Sequence, residues 1–218
     1  MAGGTVFVLS PARVDGERAK VLLNPAATFP LAVALRDPPG LPIGEVFSFL
    51  SSLYFRGKLT YARRFASRLR KAPPILVITT DRGLVPPETR ITRADLLAFG
   101  NVDIGAADPR YVRALTRDVE RLATSAARST RVVLLGSIAT GKYVDVLLAA
   151  FGKRLLFPAE FVGRGDMSRG GMLLRHAREG TELAYVPVEG AVRRGARPPK
   201  LARLPRAATR GGIREEAR

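Results

Sequence analysis

The sequence has 218 residues, of which 46% are hydrophobic, and its 36 Lys and Arg against 19 Asp and Glu give a net charge of +17. It contains no cysteine and one histidine, which excludes disulfides, thiolate nucleophiles, cysteine-ligated zinc and multi-histidine metal sites. We therefore expect neither a metal nor a cofactor. No apolar run approaches the roughly 20 residues that cross a bilayer, so we expect a cytoplasmic protein without a membrane segment.

The positive charge is spread over the whole chain. Residues 193–218 contain nine basic and two acidic side chains, which leaves a net charge of +10 on residues 1–192. We expect residues 1–192 to form a single domain, and residues 193–218, which are rich in Pro, Gly and Ala, to form a flexible basic tail. Because positive charge attracts polyanions over long distances, the expected partner is DNA or RNA.

Hydrophobic patterns predict alternating strands and helices along the chain. An apolar run predicts a buried strand over residues 5–9, followed by a short helix over residues 16–23. The Pro-rich residues 26–43 are expected to run irregularly over the surface. A long amphipathic helix is predicted over residues 44–69, where Gly57 marks a break or a close packing contact. The later predicted strands are residues 75–79, 131–135, 154–157 and 183–188, and the later predicted helices are residues 92–99, 109–126, 142–151 and 167–178.

This alternation predicts an α/β fold with three layers, in which a mostly parallel sheet of four to five strands has helices on both faces. In such sheets ligands bind beyond the carboxyl ends of the strands. Four loops follow predicted strands and are therefore expected to carry the functional residues: residues 10–16, 79–88, 136–142 and 158–171.

The loop Gly136-Ser-Ile-Ala-Thr-Gly-Lys142 matches the G-x-x-x-x-G-K pattern of phosphate-binding loops. Such loops continue with Ser or Thr to hold magnesium, but position 143 is Tyr, and the loop follows the third predicted strand rather than the first. We therefore interpret it as a tight strand-to-helix turn whose amides favour an anion, with a nucleotide-binding enzyme as an open alternative.

Three carboxylates lie in the other loops. Residues 157–171 combine four glycines with two arginines and two carboxylates, a composition that lets backbone approach a ligand closely. Within that loop Asp166 is either a catalytic carboxylate or a helix cap, and Asp15 after the first strand has the same two interpretations. Asp81 follows the second strand and is the third candidate. On the long helix, residues 54–58 interleave aromatic and basic side chains, as base-stacking surfaces do, although such aromatics also belong to cores.

Two short motifs resemble a known family. Leu9-Ser-Pro-Ala12 at the first strand and Ile78-Thr-Thr-Asp-Arg-Gly-Leu-Val-Pro-Pro-Glu88 after the second are similar to the uracil-DNA-glycosylase-like domain of archaeosine synthases, its bacterial relatives and the peroxide-stress YaaA family. The resemblance runs over residues 5–188 and implies a uracil-DNA-glycosylase-like three-layer fold that acts on DNA or RNA. Where uracil-DNA glycosylases have an acidic or Asn motif and a His motif, this chain has Ser10-Pro11 and Phe157-Pro158. The resemblance therefore implies loop positions and not catalytic residues.

Together these features predict a nucleic-acid-binding protein that acts as a glycosylase-type enzyme on DNA or RNA. A carboxylate would stabilise the cationic sugar or orient water, while arginines and loop amides hold the flanking phosphates. A non-catalytic DNA- or RNA-binding or protection factor is the first alternative, and a nucleotide-binding enzyme that uses the 136–142 loop is the second. The candidate catalytic residues are Asp15, Asp81 and Asp166; the candidate nucleic-acid contacts are Arg18, Arg82, Lys142, Arg164, Arg169, Arg193 and Arg194; and the candidate pocket residues are Ser10, Pro11, Gly136, Ser137, Glu160 and Phe161.

Overall fold

The chain folds as an α/β protein around one six-stranded sheet. The computed structural model describes residues 4–67, 69, 72–104, 108–199 and 201. Its strands are β1 (Thr5–Leu9), β2 (Leu41–Pro42), β3 (Ile75–Ile78), β4 (Leu84–Val85), β5 (Arg90–Ile91), β6 (Arg131–Leu135), β7 (Leu155–Pro158) and β8 (Tyr185–Pro187). Its helices are α1 (Glu17–Leu23), α2 (Pro30–Arg36), α3 (Ile43–Phe65), α4 (Arg93–Gly100), α5 (Pro109–Ser125), α6 (Val144–Phe151) and α7 (Asp166–Glu179).

The sheet has the strand order β4-β3-β1-β6-β7-β8. Strands β3, β1, β6 and β7 are parallel, and the two edge strands β4 and β8 run antiparallel to their neighbours. Strands β2 and β5 form a separate antiparallel pair. The prediction of a mostly parallel sheet is confirmed, but the count of four to five strands is too low. The missed strand of the sheet, β4, has two residues and therefore leaves no alternating pattern in the sequence.

Helices cover both faces of the sheet. All five residues of β1 are buried, and because successive strand residues point to opposite faces, both faces of this central strand must be covered. On one face α3 packs against α7 and contacts β1 and β3. On the other, α5 packs against α6, and these two helices contact β4 and β7 respectively. None of the helices within the described ranges is long and apolar enough to cross a membrane.

One local prediction needs correction, and one that left two alternatives is decided. The Pro-rich stretch 26–43 is not irregular throughout, because α2 forms within it. Pro30 occupies the first helical position, where its missing N–H is not needed, and Ala32 and Leu35 are buried on one side of the helix. The long helix α3 is kinked at Ser52, which has φ 47° and ψ −117°, and not at Gly57.

Gly57 and Gly170 instead allow α3 and α7 to cross closely. A Cβ at Gly57 would lie 2.6 Å from the carbonyl oxygen of Gly170. One at Gly170 would lie 2.6 Å from the carbonyl oxygen of Leu53 and 2.8 Å from the Cα of Tyr54. These are backbone atoms, which cannot rotate away as a side chain can. The crossing holds the start of α7 against the middle of α3.

We expect Gly170→Ala to lower the free energy of unfolding by about 2 kcal/mol, because backbone overlap outweighs the better helix propensity of alanine. The matched control is Gly171→Ala, where the nearest atom to a new Cβ is a side-chain carbon of Leu201 at 4.0 Å. That variant should be unchanged or more stable by up to about 1 kcal/mol. Urea denaturation measures both, and equal effects at the two positions would contradict the close helix crossing.

Candidate functional site

A cleft of about 730 Å³ opens at the carboxyl ends of β1 and β6. Six parts of the chain build it: the segment after β1, the start of α1, the middle of α3, Ile104 after α4, the loop after β6 and the first residue of α7. This is the edge at which parallel sheets bind ligands, because the loops there leave a crevice between neighbouring strands. Its lining residues include Ser10, Pro11, Arg13, Asp15, Arg18, Ser51, Tyr54, Ser137, Lys142, Tyr143 and Asp166.

The floor of the cleft contains a buried lysine. Ser10 follows β1, and its hydroxyl accepts a hydrogen bond of 2.8 Å from the Nζ of Lys58, which lies on α3. A second bond of 2.6 Å joins the same Nζ to the carbonyl oxygen of Ser10. Lys58 is fully buried, and its Nζ lies 4.5 Å from the ring centre of Tyr54 and 4.8 Å from that of Phe55. Burial lowers the pKa of Lys58 to about 7.

Helix α3 has two unusual features where it lines the cleft. The backbone is strained at Ser52, and the buried hydroxyl of Tyr54 lacks a hydrogen bond of normal geometry. Ser52 adopts φ 47° beside the lining residue Ser51, a conformation that non-glycine residues hold only when the surrounding packing enforces it. The Tyr54 hydroxyl is buried and has no hydrogen bond of normal geometry, although Arg169 lies near enough to oppose the rise that burial causes in its pKa. Both features are frequent at ligand sites.

The rim of the cleft carries three cations and two carboxylates. Arg13 in the segment after β1, Arg18 on α1 and Lys142 in the loop after β6 are the exposed cations, and Asp15 and Glu17 lie among them. Glu17 is paired with Lys20 outside the cleft, at 2.6 Å, so Arg18 and Lys142 are the rim cations without an ion pair among the described residues. Arg18 donates a 2.9 Å hydrogen bond from Nη1 to the carbonyl oxygen of Phe49, which orients its guanidinium. Arg13 forms a bidentate pair with Asp15, with distances of 3.1 and 3.0 Å. Those hydrogen bonds lower the pKa of Asp15, so this carboxylate stays ionised beside its own counter-charge.

The three predicted carboxylates occupy different settings. Asp166 is the first residue of α7, lines the cleft and leaves 67% of its side chain exposed. Asp15 also lines the cleft, on the rim. Asp81 does not line it, and burial raises the pKa of its carboxyl. Neither Asp15 nor Asp166 is an N-cap, because Gly16 and Gly165 hold those positions.

The 79–83 turn is excluded from the cleft because it closes a hairpin. The amide and the hydroxyl of Thr79 both donate to the carbonyl oxygen of Gly83, at 2.9 and 3.0 Å. Arg82 points away from the cleft into an ion pair with Asp95 and lies over the ring of Phe99. Asp81 and Arg82, which belong to this turn, therefore lie outside the cleft.

The arginines of the 157–171 loop bind the protein's own backbone. Arg169 is 11% exposed and donates from Nε and Nη2 to the carbonyl oxygen of Phe161, at 3.1 and 2.9 Å. Arg164 donates to the carbonyl oxygens of Glu160 and Pro199, at 3.0 and 3.2 Å. It lines a second pocket of about 410 Å³, formed with α7 and residues 197–199 and 201. Phe161 is buried and Glu160 is exposed, and neither lines the cleft.

The side chain of Tyr143 folds back over the 136–142 loop. Tyr143 is buried, and its hydroxyl donates a 2.8 Å hydrogen bond to the carbonyl oxygen of Ser137. A Cβ at Gly136 would lie 2.8 Å from the Cβ of Ser10, so Gly136 packs beneath the cleft while Ser137 lines it. The hydroxyl at position 143 therefore bonds within the turn, whereas a phosphate-binding loop has a Ser or Thr there that holds magnesium.

The start of the predicted tail lies against the body. Arg193 pairs with Asp145 of α6 at 3.6 Å, and Arg194 is exposed. Gly163 packs directly on the carbonyl oxygen of Ala196, where no Cβ would fit. Residues 193–199 and 201 include no helix or strand, and the prediction of a flexible arm beyond residue 201 falls outside the described residues.

The sequence reasoning missed Lys58 and Tyr143 as parts of the site. The sequence position of each residue was informative but had more than one interpretation. Lys58 lies four residues after Tyr54 and three before Tyr61, which places it on the buried side of α3. A lysine within such an apolar stripe is rare enough to indicate a special environment. Tyr143 occupies the position at which a phosphate-binding loop has Ser or Thr, and in this fold it is buried.

Neither a metal centre nor a known relative helps to interpret the cleft. No group of three or more metal-binding side chains occurs in the part of the chain that the structure describes. No protein-family model, curated protein or solved structure matches this chain.

Proposed function

We propose that this protein binds DNA or RNA and cleaves an N-glycosidic bond of a nucleotide held in the cleft, on a uracil-DNA-glycosylase-like fold. The observation that carries the proposal is the presence of an exposed carboxylate, Asp166, in a cleft whose rim carries Arg13, Arg18 and Lys142. Cations at the rim suit a polyanion, and a carboxylate inside suits a reaction that develops positive charge on a sugar.

The dimensions of the cleft favour a single extruded nucleotide. Its volume of about 730 Å³ lies within the range of pockets that hold small organic ligands. A duplex cannot enter a space of that size, so the target base would have to leave its stack, as it does in enzymes that act on bases. Arg18 and Lys142 would then contact the phosphates on either side of the extruded nucleotide.

Asp166 is the carboxylate that fits the chemical role. Its Oδ1 lies 3.5 Å from Nη1 of Arg169, and Arg169 is itself fixed by two hydrogen bonds to Phe161. The carboxylate is thereby oriented while most of its surface faces the cleft. Asp15 is less suited, because Arg13 already neutralises it. As the glycosidic bond breaks, Asp166 would stabilise the cationic sugar or orient the attacking water.

Release of free base from oligonucleotides tests this function. We expect the wild-type protein to release base from DNA or RNA strands that carry uracil, hypoxanthine or alkylated bases. Asp166→Asn should lower turnover about 100-fold or more and leave affinity nearly unchanged, because the carboxylate acts in the transition state. The control is Asp145→Asn, which removes another exposed carboxylate from the first turn of a helix, outside the cleft.

Two results would contradict the proposal. If the wild-type protein binds these strands and releases no base from any of them, the protein is a non-catalytic binding or protection factor. If base is released equally well by Asp166→Asn, the carboxylate in the cleft has no part in the reaction. Melting temperatures of the wild type and the variants, measured in parallel, show whether misfolding causes either result.

A further inference from the structure

The glycosylase-type function leaves the most unusual group of the cleft without a role. Lys58 has no solvent exposure, and its Nζ bonds only to Ser10 among the described residues, with no carboxylate within ion-pair distance. A fully buried, unpaired ammonium is strongly disfavoured, so lysines at such positions tend to be neutral amines. A neutral amine has a lone pair and can accept a proton.

Ser10 is the group that would give up that proton. Its hydroxyl lies 2.8 Å from the lysine Nζ, and its residue lines the cleft while Lys58 lies behind it. The carbonyl oxygen of Ser10 holds the same Nζ at 2.6 Å, which fixes the amine relative to the hydroxyl. The Tyr143 hydroxyl, which donates to the carbonyl oxygen of Ser137, lies near Ser10, and its interaction with Ser10 partly offsets the rise that burial causes in the Tyr143 pKa. Ser10 is 6% exposed and lines the cleft, so it is the cleft-facing end of a buried proton-accepting network.

We propose that Ser10 is a nucleophile activated by Lys58, and that the pair hydrolyses the acyl ester of an anionic substrate. A hydroxyl, a neutral amine within hydrogen-bonding distance and a third group that orients them form the arrangement of an activated nucleophile. One further observation fits this chemistry. Tyr54 lines the same cleft, and its hydroxyl is buried behind that lining without a regular hydrogen bond. Burial keeps this hydroxyl protonated by raising its pKa, so it is a free donor beside the site where an oxyanion would form.

The reaction balances without any additional reagent except water. The Oγ of Ser10 attacks the ester carbon while its proton moves to the Nζ of Lys58, and the carbonyl electrons pass to the oxygen. Collapse of this intermediate expels the alkoxide, which takes the proton, and leaves an acyl group on Ser10. Water then attacks the acyl carbon, gives one proton to Lys58, and releases the acid as Ser10 recovers its own proton. The products are one carboxylic acid and one alcohol.

The rim selects the class of ester. At the opening Arg13 is paired with Asp15 and Glu17 with Lys20, which leaves Arg18 and Lys142 to attract an ester that carries a phosphate or carboxylate group in preference to a neutral one. This activity is independent of base release and can be present whether or not a glycosidic bond is cleaved in the same cleft.

A fluorophosphonate probe tests the nucleophile directly in the full-length protein. Reaction forms an Oγ–P bond on Ser10 and expels fluoride, and the hydroxyl proton goes to Lys58. We expect mass spectrometry to find the label on Ser10 and none on Ser10→Ala. Lys58→Met should label about 100-fold more slowly. Two controls should label as the wild type does: Ser125→Ala, at the far end of α5, and Lys153→Met, at an exposed position.

The pH dependence of labelling keeps the test decisive if Lys58→Met fails to fold. The groups around Lys58 are Ser10 after β1, Tyr54 and Phe55 on its own helix, and Asp166 and Arg169 on α7. Burial is the largest influence on Lys58 and sets its pKa to about 7. The labelling rate should therefore rise as pH increases through about 7.

Three results would overturn the proposal: no label on Ser10 in the wild type, an unchanged rate in folded Lys58→Met, or a rate independent of pH between 5 and 9. The substrate class has its own comparison. We expect 4-nitrophenyl hemisuccinate, an anionic ester, to be hydrolysed with a higher kcat/KM than neutral 4-nitrophenyl acetate. Equal values for the two esters would refute selection by the cationic rim.

Discussion

Replacing Lys58 with methionine should remove a large pH dependence from the stability of this protein. The pKa of Lys58 is lowered from 10.5 to about 7 by burial, so between these pH values the unfolded chain binds a proton that the folded protein does not. The wild-type free energy of unfolding should therefore rise with pH across this window. The total change from this one group is about 5 kcal/mol, which is a large part of the stability of a typical domain.

Methionine has a similar length and no titrating group, so its variant should lack that rise. The difference in free energy of unfolding between Lys58→Met and the wild type should be largest below pH 7 and should shrink by several kcal/mol towards pH 10. Urea denaturation at a series of pH values measures it. Lys153→Met is the control, because that lysine is exposed, and it should preserve the wild-type pH dependence. Parallel curves for Lys58→Met and the wild type would show that the amine does not change charge on folding.

A lysine that destabilises the fold at neutral pH is expected where function requires it. Apolar side chains surround Lys58 on α3, and a methionine or leucine there would bury without a desolvation cost. Perturbed groups of this kind cluster at reactive sites, because burial that lowers stability also tunes proton affinity. The stability measurement and the labelling experiment therefore both depend on the pKa of Lys58, and they test it independently.

The parts of the fold that the sequence predicted are those with local physical causes. The helices predicted over residues 92–99 and 109–126 both begin at local caps: Thr92 and Asp95 form a capping box at the start of α4, and Asp108 caps α5 through the amide of Arg110. The four parallel strands of the sheet are short apolar runs, which periodicity identifies. Strand β4 and helix α2 were missed because a two-residue strand has no period and a Pro-rich segment imitates a loop.

The sequence predicted which loops form the cleft better than it predicted which side chains line it. Carboxyl ends of parallel strands meet at one edge, so Ser10, Ser137 and Asp166 could be expected to converge. The sequence could not show which arginines face a ligand. A guanidinium group donates hydrogen bonds to backbone carbonyl oxygens as readily as to phosphate oxygens. Arg169 was selected as a phosphate contact and instead holds the carbonyl oxygen of Phe161.

The contact between Lys58 and Ser10 could not be predicted from the sequence. Lys58 is 48 residues from Ser10 along the chain, and the two meet only because α3 packs on the sheet beside the end of β1. The kink at Ser52 lies in the same part of α3, six residues before Lys58. No local pattern encodes that approach, because it depends on the close crossing of α3 with α7 at Gly57 and Gly170.

Removing the cationic rim should weaken nucleic-acid binding more than removing the same charge elsewhere. The triple variant Arg13→Ala, Arg18→Ala and Lys142→Ala loses three exposed cations that surround the cleft. We expect its affinity for a single-stranded oligonucleotide to fall on the order of 100-fold at low salt, with a salt slope smaller by about 0.7 for each lost phosphate contact. The matched control is Arg113→Ala, Arg117→Ala and Arg121→Ala, three exposed positions on α5.

Oligonucleotide affinity of these two triple variants, titrated against salt, is the measurement that tests the central claim most directly. Both variants lose the same charge, so any effect of net charge alone is equal in the two. If nucleic acid binds at the cleft, the rim variant loses affinity and salt slope while the α5 variant stays close to the wild type. If the two variants lose affinity and slope equally, or if the α5 variant loses more, the cleft is not where this protein holds nucleic acid.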